Sequence, residues 1–462
     1  MIRLYDSAYA QLRDLEPRDP GRISMYLCGP TVYDLPHLGH GRHALVWDVA
    51  RRWFTFEGLD VHFVSNITDI DDNIINRAGR DGLTESEVAS QFEGEWWKAM
   101  AAIGVTRPDD TPRATEYVEG MVALISSLLD KDVAYLTSDG VYFDVSCVPD
   151  YGLLAGQPLE SLRAGARVEA NEQKRSPLDF ALWKNAKPGE PSWPAPFGDG
   201  RPGWHTECVV MSLDLLGEGF DLHCGGLDLK FPHHENERAQ AVAAGRTFAR
   251  HWAHHGWVMV GAEKMSKSLG NFTSLTDLLD KTDARAYRLL VLRSHYRSPI
   301  EVTPATIADA ERALARLDGL ARRFELPALA GDVLEVGSDH PLDEAGRELY
   351  EKVRVHLDDD LNTPLAVALL FDALSAANAA ADRHDDAAAE MARTINVLFA
   401  ALGLTLDSSS HDVDDASREL VSRRDEARSN KDWAEADRLR DELVSRGWLV
   451  EDSAAGTQIR RP

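Results

Sequence analysis

Cysteine is scarce in this chain. Cys28, Cys147, Cys208 and Cys224 are the only four among 462 residues. That number argues against a disulfide framework and leaves the thiols free for metal binding or packing. Long apolar runs are missing too. No stretch of eighteen consecutive apolar residues occurs, so no membrane-spanning helix is expected. The opening Met1-Ile2-Arg3-Leu4-Tyr5-Asp6 has no apolar core of the signal-peptide kind, and the cytoplasm is the expected compartment. Positive charge is in deficit. Fifty Lys and Arg against 76 Asp and Glu leave a net charge of −26. Taken alone, that disfavours a nucleic-acid partner, although an acidic body can still carry a local basic face. No internal repeat is visible.

What is there reads as globular, with 44% hydrophobic and 27% charged residues. The length is too great for one core, and two to four domains are expected. Residues 22–28 alternate and are bounded by Gly21 and Gly29-Pro30, the pattern of a strand and a turn. Leu45, Val46, Val49, Trp53 and Phe56 then recur at helical spacing up to Gly58, and Val61-His62-Phe63-Val64 is the next strand. Strand, glycine turn, helix and strand make a βαβ unit and predict a parallel sheet, with ligands beyond the carboxyl ends of its strands. Cys28, His37, His40, Thr68 and Asp69 fall at such ends. Residues 84–130 read as helical and 133–145 as a hairpin turning at Ser138-Asp139-Gly140. Residues 177–202, rich in proline and glycine, read as a long irregular insertion. The sheet resumes at Asp221-Leu222-His223, and a strand at Trp257–Val260 follows. Beyond residue 300, four amphipathic periods predict a helical bundle. A linker at 407–412, two helices at roughly 416–429 and 432–446, and a small β end complete the chain. Cys147, between Val145 and Val148, is expected to be a buried apolar residue.

Three constellations carry chemistry. In Phe231-Pro232-His233-His234-Glu235-Asn236-Glu237, His233 and Glu237 are four apart. On a helix begun by Pro232 they project from one face and can meet one metal ion, with Cys28 and Cys208 as thiolate complement. The alternative is an ordinary surface pair. His37-Leu38-Gly39-His40 lies where a strand hands over to a helix, whose N-terminus favours anions. Two histidines there can add donors to a phosphate, and Gly39 allows close approach to the backbone; the alternative is a turn with incidental histidines. Lys264-Met265-Ser266-Lys267-Ser268 is a loop that can close over a triphosphate and neutralise the charge of departing pyrophosphate. The alternative is an exposed basic loop.

With Met25-Tyr26-Leu27-Cys28-Gly29-Pro30-Thr31-Val32-Tyr33-Asp34, Asn66-Ile67-Thr68-Asp69-Ile70-Asp71-Asp72, Gly203-Trp204-His205-Thr206-Glu207-Cys208 and Gly225-Gly226-Leu227-Asp228-Leu229, these motifs resemble class I aminoacyl-tRNA synthetases, specifically the cysteinyl-tRNA synthetase family. The resemblance spans most of the first 270 residues and extends to the bundle and tail. It implies an α/β Rossmann-type parallel-sheet catalytic domain with an insertion, followed by an all-α helical bundle and a small α+β C-terminal domain. Residues 1–130 and 203–260 would be the two halves of the catalytic domain, and 131–202 the connective insertion. Residues 261–305 would hold the KMSKS loop and stem-contact region, 306–404 the tRNA-binding bundle, and 411–462 the anticodon-binding domain.

The resemblance also implies roles. Cys28, Cys208, His233 and Glu237 would hold one Zn2+ per chain, which the substrate thiolate joins. Serine is hard to reject by packing, whereas a soft thiolate binds zinc far better than a hydroxyl does. Gly29, Thr68, Asp69 and Trp204 would border the cysteine; the other reading of Trp204 is plain core. His37 and His40 would contact ATP phosphates, and Lys264 and Lys267 would stabilise the transition state. Gly39, Gly226, Asp228 and Lys267 would hold ATP, with Mg2+ accompanying it. Arg428, Trp433, Asp437 and Asp452 would read the anticodon. The expected partners are tRNA(Cys), ATP and L-cysteine, with no membrane, and the expected state is a monomer. Cys224 stands where the family usually has glycine and is expected to be a bystander. HLGH for the commoner HIGH is near volume-neutral. Two rivals remain: a cysteine:glucosaminyl-inositol ligase of thiol synthesis, against which the tail after residue 410 argues, and a non-catalytic zinc-containing RNA-binding protein.

Overall fold

A computed structural model describes residues 2–157, 173–260, 263–264, 274–329, 342, 344–408, 415–453 and 456–460. The chain forms two compact units, residues 1–317 with 329–406, and residues 318–328 with 407–462.

The larger unit opens on an antiparallel hairpin, β1 (Arg3–Asp6) and β2 (Gln11–Asp14). The βαβ unit follows as predicted: β3 (Arg22–Leu27), α1 (Leu38–Phe56) and β4 (Asp60–Ser65). β3 is buried at every residue but the first, as parallel strands covered on both faces are. α1 buries Leu45, Trp47, Val49, Trp53, Phe54 and Phe56. Helices α2 (Asp72–Asp81), α3 (Glu85–Ala102) and α4 (Val118–Asp130) come next. Thr84 and Glu87 form a reciprocal cap at the start of α3, which satisfies two otherwise orphaned backbone donors.

The insertion is more ordered than its composition suggests. β5 (Ala134–Thr137), β6 (Gly140–Phe143), β7 (Phe180–Asn185) and β8 (Gly200–Pro202) make a four-stranded antiparallel sheet. The expected irregular run from 177 to 202 therefore contains two strands. Phe180, Leu182 and Trp183 supply their buried side chains, packed with Phe143 and Val145. Cys147 is exposed, not buried. It ends a single 3-10 turn, Val145–Cys147, which turns it outward while Val145 and Val148 point in.

α5 (Trp204–Leu216), β9 (Leu222–Gly226), α6 (Glu235–Ala243) and β10 (His251–His255) complete the central sheet. Its order is β10-β9-β3-β4, all parallel. β10 has no sequence counterpart above, because His-Trp-Ala-His-His lacks the β-branched residues that mark a strand. β11 (Val258–Val260) pairs with β12 (Glu263–Lys264) and, after α7 (Leu275–Leu279) and α8 (Ala284–Leu292), with β13 (Ile300–Glu301). Arg42 of α1 ties this edge down, donating to the carbonyls of Trp257 (2.6 Å) and Tyr296 (2.9 Å).

The predicted bundle is present as α9 (Pro304–Arg323), α10 (Glu344–Leu357), α11 (Thr363–Asp382) and α12 (Ala387–Ala401). By length and composition alone, α11 is apolar enough to cross a membrane, a test that the core helix of a soluble protein also passes. Its alanines raise its hydropathy without an unbroken apolar run, and it packs against α10 and α12 through Ala366, Val367, Leu370 and Leu374.

The smaller unit pairs α13 (Asp415–Ser429) and α14 (Trp433–Ser445) with a hairpin, β14 (Leu449–Ser453) and β15 (Gly456–Arg460). Leu420, Leu439, Leu443, Trp448 and Val450 are its buried core.

Candidate active site and metal centre

The carboxyl ends of β3, β4 and β9 face one crevice, and the predicted metal ligands meet there. Cys28 follows β3, Cys208 lies in α5, and His233 and Glu237 flank the start of α6. All four are buried, and their donor atoms lie within 4.8 Å of one another. Sγ of Cys28 is 3.6 Å from Sγ of Cys208 and 3.4 Å from Oε1 of Glu237. Nε2 of His233 is 3.7 Å from Sγ of Cys208 and 3.0 Å from Oε1 of Glu237. A tetrahedral zinc ion with ordinary bond lengths would separate such donors by about 3.3–3.8 Å, so the set fits that ion with small adjustments. The local geometry agrees with the one expected. Phe231 is extended, and helical backbone starts at Pro232 and runs through His233 and His234 into α6. The i, i+4 pair converges.

Neighbours orient His233 and Glu237. Nδ1 of His233 lies 2.8 Å from Nδ1 of His205, which leaves Nε2 aimed at the thiols. Trp204 stacks on the His233 ring, with centroids 4.0 Å apart and planes 20° apart. It is 39% exposed, so it is not core. Oε2 of Glu237 is 2.8 Å from Nε2 of His223. Burial pushes the Cys28 thiol well up and the Cys208 thiol up, and it holds His233 well below the ordinary imidazole range. A cation arriving here meets a neutral imidazole and two protonated thiols. A second donor set, Cys28, His223, His234 and Glu237, lies within the same span but offers only one thiol. Neither set, among the described residues, includes Cys224.

Asn66 links this cluster to Thr68. Its Oδ1 is 3.7 Å from Sγ of Cys208, and its Nδ2 donates to Oγ1 of Thr68 at 3.2 Å. The Thr68 hydroxyl in turn donates to Glu207 (2.7 Å), whose carboxyl burial raises well above its usual range. Gly29 must be glycine: a Cβ there would sit 1.6 Å from the carbonyl oxygen of Asn66. Asp69 turns the other way and accepts from the backbone N–H (3.0 Å) and hydroxyl (2.6 Å) of Thr115.

The two histidines of HLGH begin α1. Nδ1 of His37 accepts the N–H of His40 (3.2 Å), and Nδ1 of His40 accepts the N–H of His37 (3.3 Å). Their rings stack with centroids 3.6 Å apart. With both Nδ1 atoms accepting, the proton of each neutral ring is on Nε2. Burial lowers His37 and lowers His40 strongly, so both are neutral donors. Gly39 makes room for this stack, since a Cβ would lie 2.8 Å from the His37 ring. Asp228 is exposed beside Gly226, where a Cβ would lie 2.4 Å from its carboxylate.

Lys264 is in β12, but its side chain and the whole of Lys267 lie outside the described residues. In the smaller unit, Trp433 is 61% exposed and opens α14, Asp437 is exposed, and Arg428 lies in α13. Asp452 is on β14, with its side chain outside the described set. Sequence reasoning gave no role to His205, His223, Asn66 or Glu207. The first and the last two sit inside motifs already singled out, and His223 precedes Cys224 within β9.

Comparison with known proteins decides the family. Residues 14–312 match tRNA synthetases class I (C) catalytic domain, 352–407 the DALR domain, and 410–460 the cysteinyl-tRNA ligase anticodon binding domain. A cysteine–tRNA ligase of Alkalilimnicola ehrlichii is 46% identical with all of both chains covered. The chain belongs to the cysteine–tRNA ligase family. A cysteine–tRNA ligase of Caldicellulosiruptor saccharolyticus is 42% identical, again with full coverage of both chains. Among solved structures, Mycobacterium tuberculosis methionyl-tRNA synthetase in complex with methionyl-adenylate superposes with a TM-score of 0.60 at 18% identity. It covers 82% of this chain and 89% of its own. That likeness establishes the class I synthetase fold.

Proposed function

We propose that the buried cluster holds one zinc ion per chain and that this site selects L-cysteine for the ligase reaction. The donor set carries the proposal: two thiols, an imidazole and a carboxylate, all buried within one ion's reach. As a class I cysteine–tRNA ligase, the chain joins cysteine to tRNA with ATP. The thiol-synthesis and non-catalytic alternatives are not favoured, given the anticodon-binding match and the full-length ligase relatives.

When bound, zinc supplies a soft acceptor that takes a thiolate in preference to a neutral hydroxyl. The chain's own residues do the rest. Trp204, stacked on His233, walls the pocket for the cysteine side chain, and Gly29 and Thr68 line it. His37 and His40 direct Nε2–H donors at the triphosphate without adding charge. Asp228 takes the ribose hydroxyls, and Gly226 and Gly39 leave the nucleotide room. Lys264 and Lys267 balance the charge that builds as pyrophosphate leaves. Magnesium arrives with ATP, held mainly by its phosphates. The substrate carboxylate attacks the α-phosphorus, so no side chain need be a nucleophile. Catalysis is orientation and electrostatics. Arg428, Trp433, Asp437 and Asp452 contact the anticodon: Arg and Trp stack on bases, and Asp accepts from an exocyclic amine. The protein works as a cytoplasmic monomer.

Metal analysis joined to cysteine-dependent pyrophosphate exchange tests this. The expected result is one zinc per chain and exchange that disappears on metal removal. Undiminished exchange by fully metal-free protein would exclude zinc from cysteine selection.

A further inference from the structure

A second concavity lies beside the activation site and has no part in the chemistry described so far. It is a cavity of about 730 Å³ walled by α3, by residues 113–115 and by the Pro191–Trp193 segment of the insertion. Such a volume lies within the range of roughly 300–1,000 Å³ typical of small-ligand sites. Its lining combines two indoles, Trp97 and Trp193, with the carboxylates of Asp69 and Glu93. Glu93 is held by Arg113, through Nη2 (2.7 Å) and Nε (3.0 Å), and accepts from Nε1 of Trp97 at 3.2 Å. Asp69 accepts two bonds from Thr115. A carboxylate has about four acceptor sites, so Asp69 can accept more.

These features select a ligand class. Acceptor carboxylates beside the cavity repel phosphate and attract N–H donors. Indole faces take flat rings, and stacking on them is a common way to hold unpaired bases. The fitting occupant is an unpaired nucleobase with an exocyclic amine. Its place in the fold narrows the choice. Thr68 borders the proposed cysteine pocket, and Asp69, the next residue, lines the cavity. The terminal adenosine of tRNA carries the hydroxyl that receives cysteine and so must lie at the adenylate. The two nucleotides before it are cytosines, and an Asp or Glu accepting from the cytosine amine is a standard pairing.

We propose that this cavity receives one of those two cytosines during transfer and so positions the 3′ end of tRNA. The proposal rests on the reading that cysteine is activated beside Thr68. Loss of pyrophosphate exchange reports on that reading, and loss of transfer alone reports on the cavity.

The test compares tRNA transcripts in which each cytosine is replaced singly by uridine, which exchanges the amine for a carbonyl. With the unmodified enzyme, one replacement should lower kcat/KM for transfer about tenfold. Ser90 is exposed on α3 and lines the cavity. Ser90→Trp should fill the cavity and lower transfer to normal tRNA about tenfold by excluding the stacked base. It should keep pyrophosphate exchange within about twofold of the unmodified enzyme and erase the cytosine–uridine difference. Should Ser90→Trp also lose exchange, Ser86→Trp, exposed on the same wall, takes its place. Equal use of all transcripts by the unmodified enzyme would overturn the proposal. So would a filled cavity that still discriminates cytosine from uridine.

Discussion

His37 and His40 cap one another: each Nδ1 accepts the other's backbone N–H, at 3.2 and 3.3 Å. The arrangement combines a helix cap with two parallel donors, and substitution can separate the two functions. Asparagine keeps an acceptor near the Nδ1 position but has nothing at Nε2. His40→Asn should therefore leave the urea midpoint almost unchanged while cysteine-dependent exchange falls about 10²–10³-fold, the usual cost of one lost transition-state donor. His37→Ala removes both functions and should also cost about 1 kcal/mol of stability, as lost N-caps do.

Metal affinity should depend steeply on pH. Burial raises the Cys28 and Cys208 thiols, so a cation displaces two protons near neutrality. His233, held low by burial, competes for none. Apparent zinc affinity should rise about a hundredfold per pH unit between pH 7 and 8, measured against a chelating indicator. A pH-independent affinity would mean that the thiols are already ionised.

Cys208→Ser should weaken zinc retention and cysteine activation together. The variant should also lose its preference for cysteine over serine in exchange assays, because a hydroxyl ligand holds zinc poorly. Normal activation by the metal-free variant would assign Cys208 a packing role only.

Acid should destabilise the fold through its buried histidines. His254 and His255 are held well below the ordinary imidazole range, chiefly by burial. The unfolded chain takes up protons below about pH 6.5 that the folded chain refuses. Their contribution is complete above that pH and is lost below it, at about 1.4 kcal/mol per pH unit for each histidine. Urea midpoints of metal-free protein should drop between pH 7 and 5.5.

Removing residues 411–462 should spare adenylate formation and impair tRNA charging. Leu420, Leu439, Leu443, Trp448 and Val450 form a core of their own, so the cut leaves the larger unit's core intact. Equal loss of both activities would show that the tail supports the catalytic fold.

The sequence made the chemistry more legible than the backbone that holds it. The four donors could be chosen because thiol, imidazole and carboxylate are distinctive and their motifs are dense. Strand β10 escaped notice because its histidines carry no alternation that distinguishes a strand. The start of the helix that carries His233 and Glu237 is legible in Pro232, which suits a first helical turn, and the extended Phe231 precedes it. Cys147 departs from its apolar neighbours because a single 3-10 turn, Val145–Cys147, faces it outward. The partners of the donors, His205 and His223 among them, are set by tertiary contact, which no local spacing encodes.

The four clustered donors come from segments far apart in the chain. Cys28 precedes Cys208 by 180 positions and Glu237 by 209. A ribosome adding roughly 5–20 residues per second leaves about 10–40 s between synthesis of the first donor and the last. Throughout that interval the nascent chain carries thiols with no complete nest to enter. Until Glu237 is made, the Cys28 thiol lacks the burial and the neighbours that it meets in the finished fold.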